Sequence, residues 1–262
     1  MTWTERQQRM LREMGLVVWR APTAVVPAPA EAPAPAPAVA AAAESPPEAP
    51  PPPPDDRRAR IATLDWPALR EAVAGCTACG LCRTRKQTVF GVGHPQAQWM
   101  IVGEAPGEQE DLKGEPFVGA AGQLLDSMLR ALSLTRAADG PQPPAQRVYI
   151  ANTLKCRPPR NRNPEPAEMQ ACEPFLIRQI DLLRPRLILA MGRFALQALL
   201  RSSDPVGKLR GRVHRYQGVP LVVTYHPAYL LRNLPDKAKA WDDLCLAASV
   251  ADAAGSAGQP EP

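Results

Sequence analysis

Residues 103–111 read GEAPGEQED, a glycine-rich turn after an apolar run. Such turns commonly hold phosphates on backbone amides backed by a lysine or a helix start. Here Glu104, Glu108, Glu110, Asp111 and, a little further on, Glu115 would repel a phosphate. Two more polar groups follow apolar runs in the same way: Asn152 in VYIAN and His226 in TYHPAYLLR. An amide, an imidazole and carboxylates in one crevice suit a neutral polar ring. Asn donates and accepts at once, matching the adjacent N–H and C=O of a pyrimidine edge, and Phe117 is placed to stack on the ring face. Taken singly, Asn152 reads as a turn former, His226 as a structural donor and Phe117 as core. The chain has no lysine in the glycine loop, no nucleophile elbow and no HExxH pair, which argues against phosphate-loop, acyl-transfer and zinc-protease chemistry.

The cysteines are the second constellation. Six are present, three of them in CTACGLC at 76–82. In a reducing compartment they read as thiols or metal ligands rather than disulfides. Cys76 and Cys79 form a C-x-x-C pair, Cys156 follows the second strand, and Cys172 lies sixteen positions later on the next helix. One tight pair with two dispersed ligands leans toward a cluster, but spacing alone leaves zinc open.

The elements that must position these groups come next. Four apolar runs read as strands: 99–103 (WMIVG), 147–152 (RVYIAN), 186–192 (RLILAMG) and 220–225 (PLVVTY). They alternate with helical stripes at Leu124, Leu125, Met128, Leu129 and Leu132, at Phe175, Leu176, Gln179, Ile180 and Leu183, in RFALQALLR, and from Asp236 to about Val250. In the last of these, Trp241 and Leu244 are expected on the inner face. Strands alternating with helices predict an α/β fold, a mostly parallel four-stranded sheet flanked by helices on both faces. Ligands gather at the carboxyl ends of such strands.

The 32 prolines among 262 residues are concentrated before this region. Residues 21–60 are expected to be a disordered Pro/Ala-rich linker, 61–250 the folded domain and 251–262 a disordered tail. Within 1–20, Met10, Leu11, Met14 and Val18 line one face of a short possible helix, which would matter to a protein partner. No apolar run is long enough to span a membrane or serve as a secretory signal, so a cytoplasmic location is expected. A formal charge of +5 suits an anionic partner only modestly.

GEAPGEQED, PFVGAAGQLL, VYIANTLKCRPPRNRNP, the pair Cys156 and Cys172, and TYHPAYLLR together resemble the family 4 uracil-DNA glycosylases, the iron–sulfur branch of their superfamily. The likeness runs from about Leu64 to Leu246. It implies a three-layer α/β sandwich and a monomer that acts on uracil-containing DNA, hydrolysing the N-glycosidic bond to leave an abasic site. It implies a [4Fe-4S] cluster on Cys76, Cys79, Cys156 and Cys172, with Cys82 and Cys245 as bystanders and the cluster in a structural role.

On this resemblance Asn152 and Phe117 grip the flipped base, His226 donates to a uracil carbonyl, and Glu104 and Glu110 position water or stabilise the sugar cation. Glu110 is preferred for water. Gly103 and the backbone at Ala105 line the pocket; Ala105 stands where other branches place an Asp. Gly107 stands where some carry a methyl-excluding aromatic, so thymine must be rejected by another wall. Leu230 and Leu231 are expected as a duplex wedge with Arg232 on a phosphate. Lys208, Arg210 and Arg212, with Arg157, Arg160 and Arg162, form a candidate phosphate rim. Lys155 is the nearest amine for lyase chemistry, but its place beside a cluster ligand argues against that role. Two rival readings are a nuclease holding Mg²⁺ on Glu104, Glu110 and Asp111, and a non-catalytic module that senses damaged bases.

Overall fold

A computed structural model describes residues 54–256. The expected N-terminal segment, the linker up to residue 53 and the end of the tail lie outside the described residues.

Two α-helices, α1 (Pro54–Thr63) and α2 (Trp66–Ala74), come first. Because α1 begins inside the stretch assigned to the linker, the boundary at residue 60 is corrected. Its run of arginines hides real anchorage. Ile61 is buried, Arg57 donates to the Ala171 carbonyl at 2.8 Å, and Arg58 pairs with Glu173 at 3.0 Å. Asp65 caps α2 by accepting the Ala68 N–H at 2.9 Å, and proline occupies its first turn, where a missing N–H costs nothing.

The sheet has six strands in the order β1-β3-β2-β4-β6-β5. These are β1 (Val92–Gly93), β2 (Trp99–Gly103), β3 (Val148–Asn152), β4 (Leu187–Met191), β5 (Val213–Tyr216) and β6 (Val219–Thr224). The four expected strands form the parallel centre. The two that the apolar pattern missed, β1 and β5, are antiparallel edges. Neither has a run that stands out: β1 is two residues long, and β5 carries the polar sequence VHRY.

Period-two alternation splits the central strands between two cores. Met100, Val102, Tyr149, Ala151, Ile188, Ala190, Leu221 and Val223 face one core, together with Leu69, Phe175, Leu176 and Leu196 from helices. Trp99, Ile101, Val148, Ile150, Leu187, Leu189 and Val222 face the other, with Leu125, Leu129 and Leu244. Helices therefore cover both faces, giving three layers. The first core is covered by α2, α5 (Pro166–Leu183) and α6 (Arg193–Leu200), and the second by α4 (Ala120–Ala131) and α9 (Asp236–Ser256). Three short helices complete the set: α3 (Glu108–Lys113), α7 (Val206–Leu209) and α8 (Pro227–Leu230). Trp241 departs from expectation. It is 45% exposed, whereas Leu244, three residues on, is buried.

Candidate functional site

The carboxyl ends of β2 and β3 lie side by side, with Gly103 opposite Asn152 in register. The following chain is stitched across this edge: Thr153 N–H donates to the Gly103 carbonyl at 3.0 Å, Leu154 N–H to the Glu104 carbonyl at 3.1 Å, and the Thr153 hydroxyl also donates to Glu104 O. Gly103 is required by close approach. A Cβ there would lie 2.4 Å from Asn152 Oδ1 and 2.8 Å from Phe117 Cζ. The amide and the ring therefore meet over a floor that admits no side chain.

Asn152 is buried, and its Oδ1 is an orphan, with no hydrogen-bond partner. Leaving such an acceptor unpaired costs about 1–3 kcal/mol. An exception of this kind points to a ligand that completes it.

Phe117 is held by an unusual backbone. Its φ of 55° is rare for a bulky residue, and its carbonyl lies 1.7 Å from where a Cβ on Gly122 would stand. Only glycine at the last position of the PFVGAAG turn, Gly122, lets α4 start against that carbonyl. The ring, 4% exposed, stacks on His226 with centroids 5.2 Å apart and planes at 27°.

His226 caps α8 by accepting the Ala228 N–H on Nδ1 at 3.2 Å. A neutral ring with Nδ1 accepting carries its proton on Nε2, which is then a free donor. Burial, reinforced by the Arg232 charge, lowers the imidazole to about 4, so the donor is uncharged at neutral pH. Gly192, at φ 83°, backs the ring: a Cβ there would sit 3.2 Å from His226 Cβ. Phe117 thus meets the Asn152 amide over Gly103 on one side and the His226 imidazole on the other.

The acids of the opening loop divide by their partners. Glu110 Oε2 accepts the Gly107 N–H at 3.1 Å, and its Oε1 accepts the Val118 N–H at 3.2 Å. This carboxylate caps α3 and pins the loop to the Phe117 turn, and it fills the space a side chain at 107 would take, since a Cβ there would meet Oε2 at 2.7 Å. Asp111, 2% exposed, accepts the Lys86 N–H at 3.0 and 3.1 Å. Glu104 differs: burial raises its carboxyl above the usual range, opposed by the charge of Arg193. Glu110, the acid the sequence favoured for water, thus already accepts a backbone N–H on each oxygen, whereas Glu104 sits partly buried at the strand end. The nuclease reading loses two of its three carboxylates to backbone amides by the same geometry. Ala105 is partly buried beside them.

The candidate DNA contacts also separate. Leu230 is 1% exposed and Leu231 41%, so the expected leucine wedge is corrected to Leu231 alone, with Leu230 in the core. Leu234, which the sequence reading passed over, is 60% exposed and follows in the same loop. Tyr229, stacked on Tyr225 at 5.0 Å and donating to Asp236 at 2.7 Å, braces the segment. Arg232 and Arg212 are exposed, and Lys208 is exposed with a long pair to Asp204 at 3.8 Å. Arg210 is not a rim cation: its Nε and Nη2 pair with the fully buried Asp243 at 3.0 Å. Arg162 is likewise committed, bidentate to Glu168 at 2.9 and 2.6 Å, and Arg157 pairs with Glu108 at 3.5 Å. Arg160 is exposed.

The four candidate ligand cysteines form one neighbourhood. Cys156 and Cys172 are buried and Cys76 and Cys79 partly so, and each of Cys79, Cys156 and Cys172 feels the charge of others in the set. Every sulfur has an N–H donor. Arg57 reaches Cys76 Sγ at 3.6 Å, the Leu81 backbone bonds Cys79, Arg85 reaches Cys156 Sγ at 3.0 Å, and Lys155 N–H reaches Cys172 Sγ at 3.2 Å. Such donors favour thiolate, and burial opposes it, pushing the Cys172 thiol to about 12. Among the described residues no group of three or more His, Cys, Asp or Glu side chains is spaced to hold a single metal ion. Cys82 is partly buried and Cys245 exposed. Among the same residues no helix is long and apolar enough to cross a membrane.

The sequence is similar to known proteins. A family model described as the uracil DNA glycosylase superfamily matches residues 90–245. A type-4 uracil-DNA glycosylase of Archaeoglobus fulgidus is 42% identical over 167 residues, 61% of this chain and 79% of the relative. One of Pyrobaculum aerophilum is 41% identical over 193 residues, 70% of this chain and 93% of the relative. A type-5 uracil-DNA glycosylase of the latter organism is 32% identical over 151 residues, 54% of this chain and 66% of the relative. With the matched region spanning the parallel sheet and every strand end that builds the pocket, the chain belongs to the uracil-DNA glycosylase superfamily.

Proposed function

We propose that this chain excises uracil from DNA by hydrolysing the N-glycosidic bond, leaving an abasic site for repair. The orphaned Asn152 Oδ1 beside Phe117, over the bare floor of Gly103, carries the reading. A flipped uracil supplies what that atom lacks: its N3–H donates to Oδ1, and the Asn152 amide N–H donates back to the adjacent carbonyl. Phe117 then stacks on the ring. The cost of extrusion is a few kcal/mol, least at a mispair.

Bond cleavage places negative charge on the departing uracil and positive charge on the sugar. His226 Nε2–H donates to the uracil oxygen, and as a neutral donor it stabilises the developing anion without first surrendering a proton. Glu104 serves the sugar side. Its raised carboxyl lies nearer the range a general base needs, and once ionised it both orients water and stabilises the cationic sugar. Ala105 lines the pocket with its backbone and leaves water activation to Glu104. Glu110 holds the loop and, standing where a side chain at 107 would, is the wall that excludes the thymine methyl.

Leu231, Arg232 and Lys208 are the DNA contacts this reading retains. Cys76, Cys79, Cys156 and Cys172 would hold a [4Fe-4S] cluster; four sulfurs, each with an N–H donor, fit an anionic thiolate cage. When bound, such a group would cross-link the segment after α2 to the chain after β3 and to α5, a structural contribution. We place the protein in the cytoplasm as a monomer, with its N-terminal segment available to a protein partner.

The deciding experiment is incubation of U-, T- and hypoxanthine-containing strands with wild type and His226→Ala in the presence of EDTA. Alkali-labile sites only where uracil stood, lost in the variant, support the reading. EDTA-sensitive cutting of normal DNA would favour a nuclease, and binding without turnover a sensing module.

A further inference from the structure

Lys155 is 1% exposed and carries its ammonium into the core between β3 and α5. Nζ donates to the backbone carbonyl of Asn152 at 2.8 Å and to Gln179 Oε1 at 2.6 Å. Gln179, wholly buried, is itself fixed, its Nε2 donating to the Phe90 carbonyl at 2.9 Å. The backbone of Lys155 is engaged too, donating to Cys172 Sγ at 3.2 Å and accepting the Val89 N–H at 2.8 Å.

Burying a cation costs several kcal/mol before its contacts offset it, and an apolar residue of similar length would avoid that cost. The ammonium sits on one particular peptide, the one that carries Asn152. A carbonyl held from behind fixes the orientation of its own residue. The amide of Asn152 must be fixed in just this sense, because its Oδ1 is held with no partner of its own.

We propose that Lys155, braced by Gln179, is a positioning residue that clamps the Asn152 peptide so that the side-chain amide is presented to the base. This rests on the reading of Asn152 as the group that grips uracil. It also accounts for a lysine next to the pocket without lyase chemistry, since the amine is committed to two acceptors. Through Cys172, the same residue ties base recognition to the cysteine cage.

The test is a double-mutant cycle in the iron-loaded full chain, read as single-turnover excision from a uracil-containing single strand. Lys155→Met should slow excision tenfold or more when Asn152 is present, and no more than twofold in an Asn152→Ala background. Gln179→Met, two helical turns beyond Cys172 on α5, should give the same pattern, and its cycle decides alone if Lys155→Met fails to fold. A merely structural role would lower both backgrounds by the same factor, and that result, or excision at the wild-type rate, would overturn the clamp. Wild type that leaves uracil in place sinks the functional reading and the clamp with it, whereas an active wild type with additive cycles sinks the clamp alone.

Discussion

His226 should carry no charge anywhere near neutral pH. Its imidazole falls from an ordinary 6.5 to about 4, because burial disfavours the cation and Arg232 repels it. The difference, about 2.5 pH units, sets about 3 kcal/mol against protonating the ring in place. Below pH 6.5 the unfolded chain takes up a proton that the folded chain refuses. The stability carried by the neutral ring is therefore fully present above 6.5, is lost as pH falls, and levels off near 4. Glutamine at 226 cannot ionise, so the difference between wild type and His226→Gln isolates this one group from the carboxylates and from the other two histidines, His94 and His214. Ring proton shifts followed by NMR, assigned by comparison with His226→Gln, should show the His226 imidazole titrating only near pH 4. Denaturation midpoints should fall further for wild type than for His226→Gln between pH 6.5 and 4. The excision rate should show no inflection at 6.5 that disappears in His226→Gln. His226→Ala, which removes the donor outright, should cost about 10²–10³ in rate. A His226 resonance titrating near 6.5, or parallel stability curves for the two proteins, would refute the reasoning.

Gly103→Ala places a methyl 2.4 Å from Asn152 Oδ1; we expect about 1–3 kcal/mol of destabilisation by overpacking and on the order of a hundredfold loss of excision from displacing the amide, read by melting and single-turnover assays. Leu231→Ala should leave stability within about 0.5 kcal/mol and slow excision more from paired than from single-stranded DNA, whereas Leu230→Ala should destabilise by about 2–5 kcal/mol. Arg210→Ala strands the buried carboxylate of Asp243 and should cost about 3–5 kcal/mol with an unchanged salt slope of DNA binding, whereas Lys208→Ala should lower that slope by about one at no cost in stability. Cys76→Ser should lose iron and brown colour together with thermal stability; a colourless variant as stable as wild type would remove the structural role.

The parallel core of the sheet was legible because its central strands are mostly apolar runs, buried throughout in β2, β3 and β4 and over the last four residues of β6, and burial on both faces leaves no other pattern to read. The edge strands were not, since β5 is half solvated and its sequence VHRY says as much about a loop. Asn152 and His226 could be placed at one sheet edge because each closes or follows such a run, whereas Phe117 lies in the turn before α4 and was placed by its type alone. Helix phase was harder: Trp241 looks like core by type, and only the packing of α9 turns it outward. Leu230 and Leu231 are identical in type, and one residue's rotation on a single-turn helix decides which is core and which is exposed. Arg210 and Arg162 likewise read as free cations until a buried acid from a distant helix or a neighbouring turn claims each of them.

The acids of the opening loop show why charge type alone misleads. Five carboxylates in a glycine-rich turn look like a ligand-binding array, yet Asp111 and Glu110 bind backbone amides of this same chain, and Glu108 faces Arg157 at the surface. Glu115 is exposed, and of the five only Glu104 sits partly buried at the strand end with its carboxyl raised by its surroundings. The first two acids fold the loop and fix Phe117 in its left-handed backbone, so that the pocket exists before any base arrives. A phosphate-binding turn spends its free amides on the ligand, whereas this one spends them on its own carboxylates. On the proposed reading the negative charge left over, on Glu104, serves the sugar as it becomes cationic, and such a charge suits cleavage beside a departing base far better than any grip on a phosphate.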